Sequence, residues 1–143
     1  MKIRSKLFKK MCIFCSHERL SILNQNDNLI LIEDIKPAAE NHFLVIPKKH
    51  YPNVKYLSRN DLPLVREMQR MAYDYMLTLR SDFAEDNLLL GFHWAPFNSI
   101  EHLHLHVIYP FREMSLLRRW IFRPNSYWFA EIDAAVQHLE NKH

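Results

Sequence analysis

His102, His104 and His106 alternate with Leu103, Leu105 and Val107. In an extended chain successive side chains point to opposite sides, so the three imidazoles share a face, roughly 6–7 Å apart, and the aliphatic residues take the other. Three titratable rings in a row are poor packing material, which argues against a purely structural set of core histidines. Two chemistries remain. Same-face histidines on a strand can hold zinc together with a water. Alternatively, a neutral imidazole can attack phosphorus and carry the phosphoryl group as a covalent N–P adduct, while a second, cationic histidine stabilises the equatorial oxygens. Ser99, three residues ahead of His102 and directly after Asn98, tips the balance toward catalysis. It brings a hydroxyl to the same end of the strand, able to pass a proton to a poor leaving group such as an amine.

Cys12-Ile13-Phe14-Cys15 is the second constellation. A thioredoxin-type role needs this spacing at the start of a helix inside a βαβ unit, and nothing ahead of Cys12 reads as that strand. In a reducing compartment the pair stays as thiols. A closed zinc site needs four ligands, so two must come from elsewhere, and His50 and His102 are the best placed candidates. Two thiolates and two neutral imidazoles would balance the charge of Zn²⁺.

The chain has 143 residues, 48% of them hydrophobic, which is enough for one domain with a sizeable core. No apolar run approaches the roughly 18–20 residues of a membrane span, and no secretory h-region follows the basic start. A soluble intracellular protein is expected, cytoplasmic with the nucleus as a second compartment. The formal net charge of +3 is uneven: five of the 19 basic residues, Lys2, Arg4, Lys6, Lys9 and Lys10, fall in the first ten positions, with no acid among them. Residues 1–10 read as a basic flexible tail and 11–143 as the domain. Gly91 is the single glycine where average usage gives about ten. Glycine-rich phosphate-binding loops and dinucleotide folds are therefore excluded, and any phosphate chemistry must use side chains.

The elements that position these residues follow from periodicity. Strands over 21–25 and 28–33 flank Asn26-Asp27 as a hairpin, and the second is continuously apolar, as a central strand should be. The next strand, 42–46, stops at Pro47. A long helix begins near Asn60 or Asp61, with Leu62, Val65, Met68, Ala72, Tyr75, Met76 and Leu79 forming one stripe. Strands follow over 88–94 and 102–109, separated by a loop over 95–100. Ile132, Ala135, Val136 and Leu139 mark a C-terminal helix. The expected fold is α+β, a mostly antiparallel five-stranded sheet with a long helix and a C-terminal helix.

Taken together, Cys12–Cys15, Asp34-Ile35-Lys36-Pro37, the run His42-Phe43-Leu44-Val45-Ile46-Pro47-Lys48-Lys49-His50, and Ser99 with His102–Val107 resemble the histidine triad (HIT) superfamily, in its Hint branch. The resemblance covers roughly 11–141. It implies a HIT-like fold, a homodimer with two sheets joined edge to edge, and hydrolysis of adenosine 5′-phosphoramidates or acyl-adenylates to AMP through a nucleotidyl-histidine. By matching positions, His104 is the nucleophile, His106 contacts the phosphate, His102 orients, and Ser99 lies near the leaving group. Asp34 takes the place of the residue that binds the ribose hydroxyls; Ile13, Phe14 and Ile35 match the walls around a purine. His93 stands where many Hint proteins have a phosphate-side asparagine, and Trp94-Ala95-Pro96-Phe97 replaces a glycine-rich loop. His93 and Asn98 are counted with the nucleotide-binding residues. In zinc-containing members the ligands fall on Cys12, Cys15, His50 and His102; no cofactor enters the chemical step. The presence of His50 argues against dinucleoside polyphosphate cleavage. Two alternatives remain: an aprataxin-like removal of AMP from nucleic-acid 5′ ends, with the basic tail gripping the backbone, and a non-catalytic nucleotide- or zinc-binding adaptor.

Overall fold

In the computed structural model, residues 12–142 are described; the basic tail of 1–10 lies outside them. The sheet has six strands, β1 (Ile22–Gln25), β2 (Leu29–Glu33), β3 (Asn41–Pro47), β4 (Leu89–His93), β5 (Leu105–Tyr109) and β6 (Phe129–Glu131). Their spatial order is β1-β2-β3-β5-β4-β6, and every pairing is antiparallel. Among the described residues three helices accompany them: α1 (Leu62–Leu79), α2 (Leu116–Ile121) and α3 (Ile132–Glu140). The expected five strands become six because β6, only three residues long, is too short to show a period. It lines the outer edge of β4, pairing Gly91 with Glu131 and His93 with Phe129.

One face of the sheet is covered by α1 and α3. Leu29, Leu31, Phe43, Val45, Phe92, Leu103, Leu105 and Val107 pack there against Val65, Met68, Ala72 and Met76 of α1 and Ala135, Val136 and Leu139 of α3. Asp61 secures the start of α1 by accepting the Ser58 main-chain N–H (2.8 Å), and Pro63 sits in the first turn, where no intrahelical donor is lost. Met71 joins the buried stripe, whereas Leu79 at the helix end is exposed.

The opposite face carries two smaller apolar clusters. One holds Phe14, Ile30, Ile32, Leu44 and Ile46; the other holds Ala38, Leu89, Ile108, Met114, Phe122 and Phe129. The histidines lie between them. Alternation predicts this: odd residues from 103 to 109 enter the main core, leaving the even ones on the second face. The hydrogen-bonded ladder, however, starts at Leu105, so His102 and His104 both precede the strand, which was expected over 102–109. Their backbone is redirected by a hydrogen bond from Leu103 N–H to the Tyr51 carbonyl (2.6 Å). Among the described residues no helix is long and apolar enough to cross a membrane.

Candidate active site and metal-binding cluster

Register places a fourth histidine beside the triad. Leu44 of β3 lies opposite His106 of β5, so His42, two residues earlier, points to the same face and meets His106 diagonally. His42 is 1% exposed. Its Nδ1 accepts the Ala38 main-chain N–H (2.9 Å), which puts the ring proton on Nε2. That proton points to His106 Nδ1 (2.9 Å) and to Asp34 Oδ2 (3.3 Å). His106 must then carry its own proton on Nε2, which faces His93 Nδ1 at 3.2 Å. His93 in turn donates its Nε2–H to the carbonyl of Ile121 (3.2 Å). A main-chain donor at one end and a main-chain acceptor at the other thus fix every neutral tautomer from His42 to His106 to His93.

His104 is oriented separately. Its Nδ1–H donates to the main-chain carbonyl of His102 (2.7 Å), so Nε2 keeps its lone pair. Phe14 packs edge-on against this ring, with centroids 5.4 Å apart. Burial holds the pKa values of His104, His93 and, most strongly, His106 below the ordinary imidazole range. His42 falls to about 4, because burial outweighs the opposing charge of Asp34. At neutral pH the set is uncharged, which is the form an imidazole needs in order to act as a nucleophile.

The second face opens into a cavity of about 510 Å³. His104, His106 and His93 form its floor. Ile13, Phe14, Leu20, Ile32, Ile35 and Leu44 line one side, and Ile35 is 92% exposed, an apolar side chain standing in water. Asp34 and Lys36 lie at the end of β2. Glu33, Phe97, Ser99, Ile100, Ile121 and Phe122 complete the lining. Phe122 packs against His42, His93 and His106, with centroids 5.1–5.4 Å away. Asn98 points elsewhere: its amide donates to the Glu101 carboxylate (2.9 Å) and the Ile100 carbonyl (3.2 Å), and it is not among the residues lining this cavity.

His102 also faces away from the cavity. Its Nε2–H donates to the Pro47 carbonyl (2.8 Å), leaving Nδ1 as an acceptor 3.3 Å from Cys12 Sγ and 3.5 Å from Cys15 Sγ. His50 Nδ1 is 3.3 Å from Cys15 Sγ and 3.1 Å from His102 Nδ1. The four ligand atoms all lie within 4.8 Å of one another. A tetrahedral site with metal–sulfur bonds near 2.3 Å and metal–nitrogen bonds near 2.0–2.1 Å separates its ligand atoms by about 3.3–3.8 Å. The cluster therefore fits a metal ion, and Pro47 supplies the outer hydrogen bond that holds a ligating imidazole in one tautomer. Asp34, His42 and His106 also converge, yet each of their facing atoms is accounted for by the histidine chain.

Sequence reading brought together His93, Ser99, His104 and His106, with Asp34, Ile13, Phe14 and Ile35 around them, and the four metal-cluster residues. It assigned nothing to His42 or Phe122. Part of the signal for His42 was present, a histidine in step with Leu44 on a strand; that this strand pairs with the triad strand is a fact of the tertiary structure.

A neutral, oriented imidazole at the floor of an apolar cleft in an antiparallel α+β sheet defines a histidine-triad hydrolase. Comparisons with known proteins agree. The family described as "Scavenger mRNA decapping enzyme C-term binding" matches residues 8–120. Adenosine 5′-monophosphoramidase HINT3 of Xenopus tropicalis is 38% identical over 136 residues, covering 90% of this chain and 87% of its own. The Mus musculus protein of the same name is 36% identical over 135 residues, covering 90% and 81%. Among solved structures, a HIT family hydrolase from Clostridium thermocellum superposes with a TM-score of 0.61 at 28% identity, over 69% of this chain and 90% of that one. An aprataxin ortholog in complex with DNA shares the fold, with a TM-score of 0.67 at 17% identity over 94% and 77%. The chain belongs to that decapping-enzyme C-terminal family and, within the HIT superfamily, to the Hint branch.

Proposed function

We propose that this chain hydrolyses adenosine 5′-phosphoramidates or acyl-adenylates to AMP through a nucleotidyl-His104 intermediate. One observation carries the reading: the His104 Nδ1–H is committed to the His102 carbonyl at 2.7 Å, so the nucleophilic nitrogen is Nε2, on a ring that lines the cavity. The lone pair of Nε2 attacks the α-phosphorus, and the bond from phosphorus to the leaving nitrogen or acyl oxygen breaks. An amine leaves with a proton from the Ser99 side; a carboxylate leaves without one. The His106 Nε2–H, held by His93 in the free protein, then faces a non-bridging oxygen, and its donor state is enforced from behind by His42. Water attacks the adduct and gives up one proton, to the Ser99 side after an amine has left and to solvent after a carboxylate has left; the N–P bond breaks, and AMP departs with His104 neutral again. The names of the HINT3 relatives support the adenosine monophosphoramidate substrate.

Asp34 is assigned to the ribose hydroxyls and Ile13, Phe14 and Ile35 to the purine. Zinc is assigned to Cys12, Cys15, His50 and His102, where it would cross-link the segment bearing Ile13 and Phe14 to the peptide whose carbonyl orients His104. A homodimer completes the proposal, as the family resemblance implies.

The test is to quench the protein with an adenosine 5′-phosphoramidate and map the acid-labile adduct by mass spectrometry. AMP on His104, with no adduct and no turnover in a folded His104→Ala variant that still binds AMP, is the expected result. Near wild-type turnover by that variant, or an adduct on another residue, overturns the mechanism.

A further inference from the structure

Helices on a protein surface turn their apolar side chains inward, and α2 does the reverse. At about 100° per residue, Leu116, Leu117, Trp120 and Ile121 fall within about 140° on one face, and Arg118 and Arg119 border that face on either side. The apolar face looks out: Leu116 is 84% and Leu117 70% exposed, and Trp120 and Ile121 are exposed as well. What anchors the helix lies at its two ends. Met114 before it and Phe122 after it are buried in the cluster that holds Ala38, Ile108 and Phe129. Ser115 Oγ accepts the Arg118 main-chain N–H (3.4 Å), and Trp128 donates its indole N–H to the Trp120 carbonyl (3.0 Å). Tyr127, next to Trp128 in the chain, adds a ring that is 91% exposed. The patch is preformed, so little ordering entropy opposes its use as a contact surface.

The charge around it has one sign. From Met114 to Ala130 the chain carries Arg118, Arg119 and Arg123 and no acid. Among the described residues none of these three takes part in an ion pair. Arg119 lies over Phe111 (5.7 Å) and Arg123 over Trp120 (5.9 Å), contacts that leave the charge in place, and Arg118 is exposed. Lys2, Arg4, Lys6, Lys9 and Lys10 precede Cys12 in the sequence. Ile13, just past Cys12, is exposed and lines the same cavity as Ile121.

Such a surface calls for a partner that is negative at its boundary and hydrocarbon beneath. A second copy of this chain would set arginines against arginines. A nucleic-acid strand is negative but offers bases, which stack on rings. The two most exposed residues of α2 are leucines, which have no π face, and the Trp120 ring is packed against Trp128 (centroids 4.9 Å apart). An anionic bilayer answers both halves: leucines and Trp120 reach the acyl boundary while the arginines meet headgroups.

We propose that the outward face of α2, with Tyr127 beside it, docks this chain onto an anionic lipid bilayer. The contact is peripheral and spans nothing. It is independent of the nucleotidyl-His104 reading. Ile121 belongs both to this face and to the cavity wall, so docking brings the mouth of the cleft to the membrane surface.

The experiment is cosedimentation of the full chain, near physiological salt, with vesicles of equimolar phosphatidylserine and phosphatidylcholine and with vesicles of phosphatidylcholine alone. Partitioning into the mixed vesicles should exceed that into the neutral ones by about tenfold or more, and tryptophan emission should shift to the blue. Leu116→Ser and Leu117→Ser should each weaken binding by about tenfold. Arg118→Ala and Arg123→Ala should each weaken it by about fivefold. All four side chains face solvent, and unchanged thermal midpoints verify that the variants fold. No sedimentation with the mixed vesicles overturns the proposal. So does binding that neither leucine substitution weakens, which would leave the cations of residues 2–10 as the whole attraction. A single-stranded oligonucleotide that binds more tightly than the vesicles, and is lost with the same leucine substitutions, overturns it in favour of nucleic acid.

Discussion

Replacing His42 tests the histidine chain where sequence reading assigned nothing. The ring is 1% exposed, accepts the Ala38 N–H at 2.9 Å and donates to His106 Nδ1 at 2.9 Å. His42→Ala leaves both groups buried without these partners. At about 1–3 kcal/mol for each orphaned group, unfolding by urea should show a loss of roughly 2–6 kcal/mol. The kinetic consequence is separate. Without the His42 donor, His106 is free to carry its proton on Nδ1 and to turn an acceptor lone pair toward the phosphoryl oxygens. Losing one oriented donor to a developing oxyanion costs about 10²–10³ in kcat, so single-turnover AMP release should slow by about a hundredfold while the adduct still maps to His104. His42→Gln, whose amide reaches as far as Nε2 and can donate, should recover a large part of the rate. Long-range ¹⁵N NMR of labelled histidines reads the tautomer directly. A His42→Ala protein with kcat within threefold of wild type, or with His106 still protonated on Nε2, would refute the relay.

Three further outcomes follow from other parts of the molecule. Elemental analysis of protein purified under metal-replete conditions should give one zinc per chain, and Cys15→Ser should abolish it. With zinc at about a hundred times its dissociation constant, the wild type should gain roughly 2.7 kcal/mol over the zinc-free form in calorimetry, and no metal-dependent shift would remove the assignment. Stability should depend on pH through the buried histidines. His42 titrates at about 4 against an ordinary 6.5, and His106 is also depressed. The unfolded chain therefore binds more protons between these values, so stability is complete above pH 6.5 and falls as pH drops toward 4. A melting temperature that rises with acidification in that window contradicts the burial argument. Gly91→Ala should destabilise by about 1–3 kcal/mol or more, since a Cβ there would stand 2.5 Å from the Ala130 carbonyl oxygen and from the Phe129 ring; unchanged urea midpoints would show that β6 yields easily.

Much of the architecture was legible because its signals are local. The odd-even alternation from 103 to 109, the three- and four-residue steps of α1, and Pro47 as a stop depend only on nearest neighbours along the chain. β6 was missed for the same reason: Phe129–Glu131 acquires its strand conformation from β4, against which it pairs, and not from its own residues. Asn98 shows the reverse error, since adjacency to Ser99 did not decide which way its amide turned.

Residue types alone determined that any phosphate chemistry here must use side chains, that a closed metal site on CxxC would need two outside ligands, and that one face of the triad segment was reserved for histidine. Those conclusions rest on side-chain chemistry and backbone periodicity, which every residue carries with it. Tertiary structure decided which nitrogen of each ring holds its proton, that His102 turns to the thiols while lending its carbonyl to His104, and that His42 stands behind His106. A tautomer is fixed by the donor or acceptor it faces. Ala38, Pro47 and Ile121 supply those through main-chain atoms, which one amino acid offers as well as another and whose positions only folding sets.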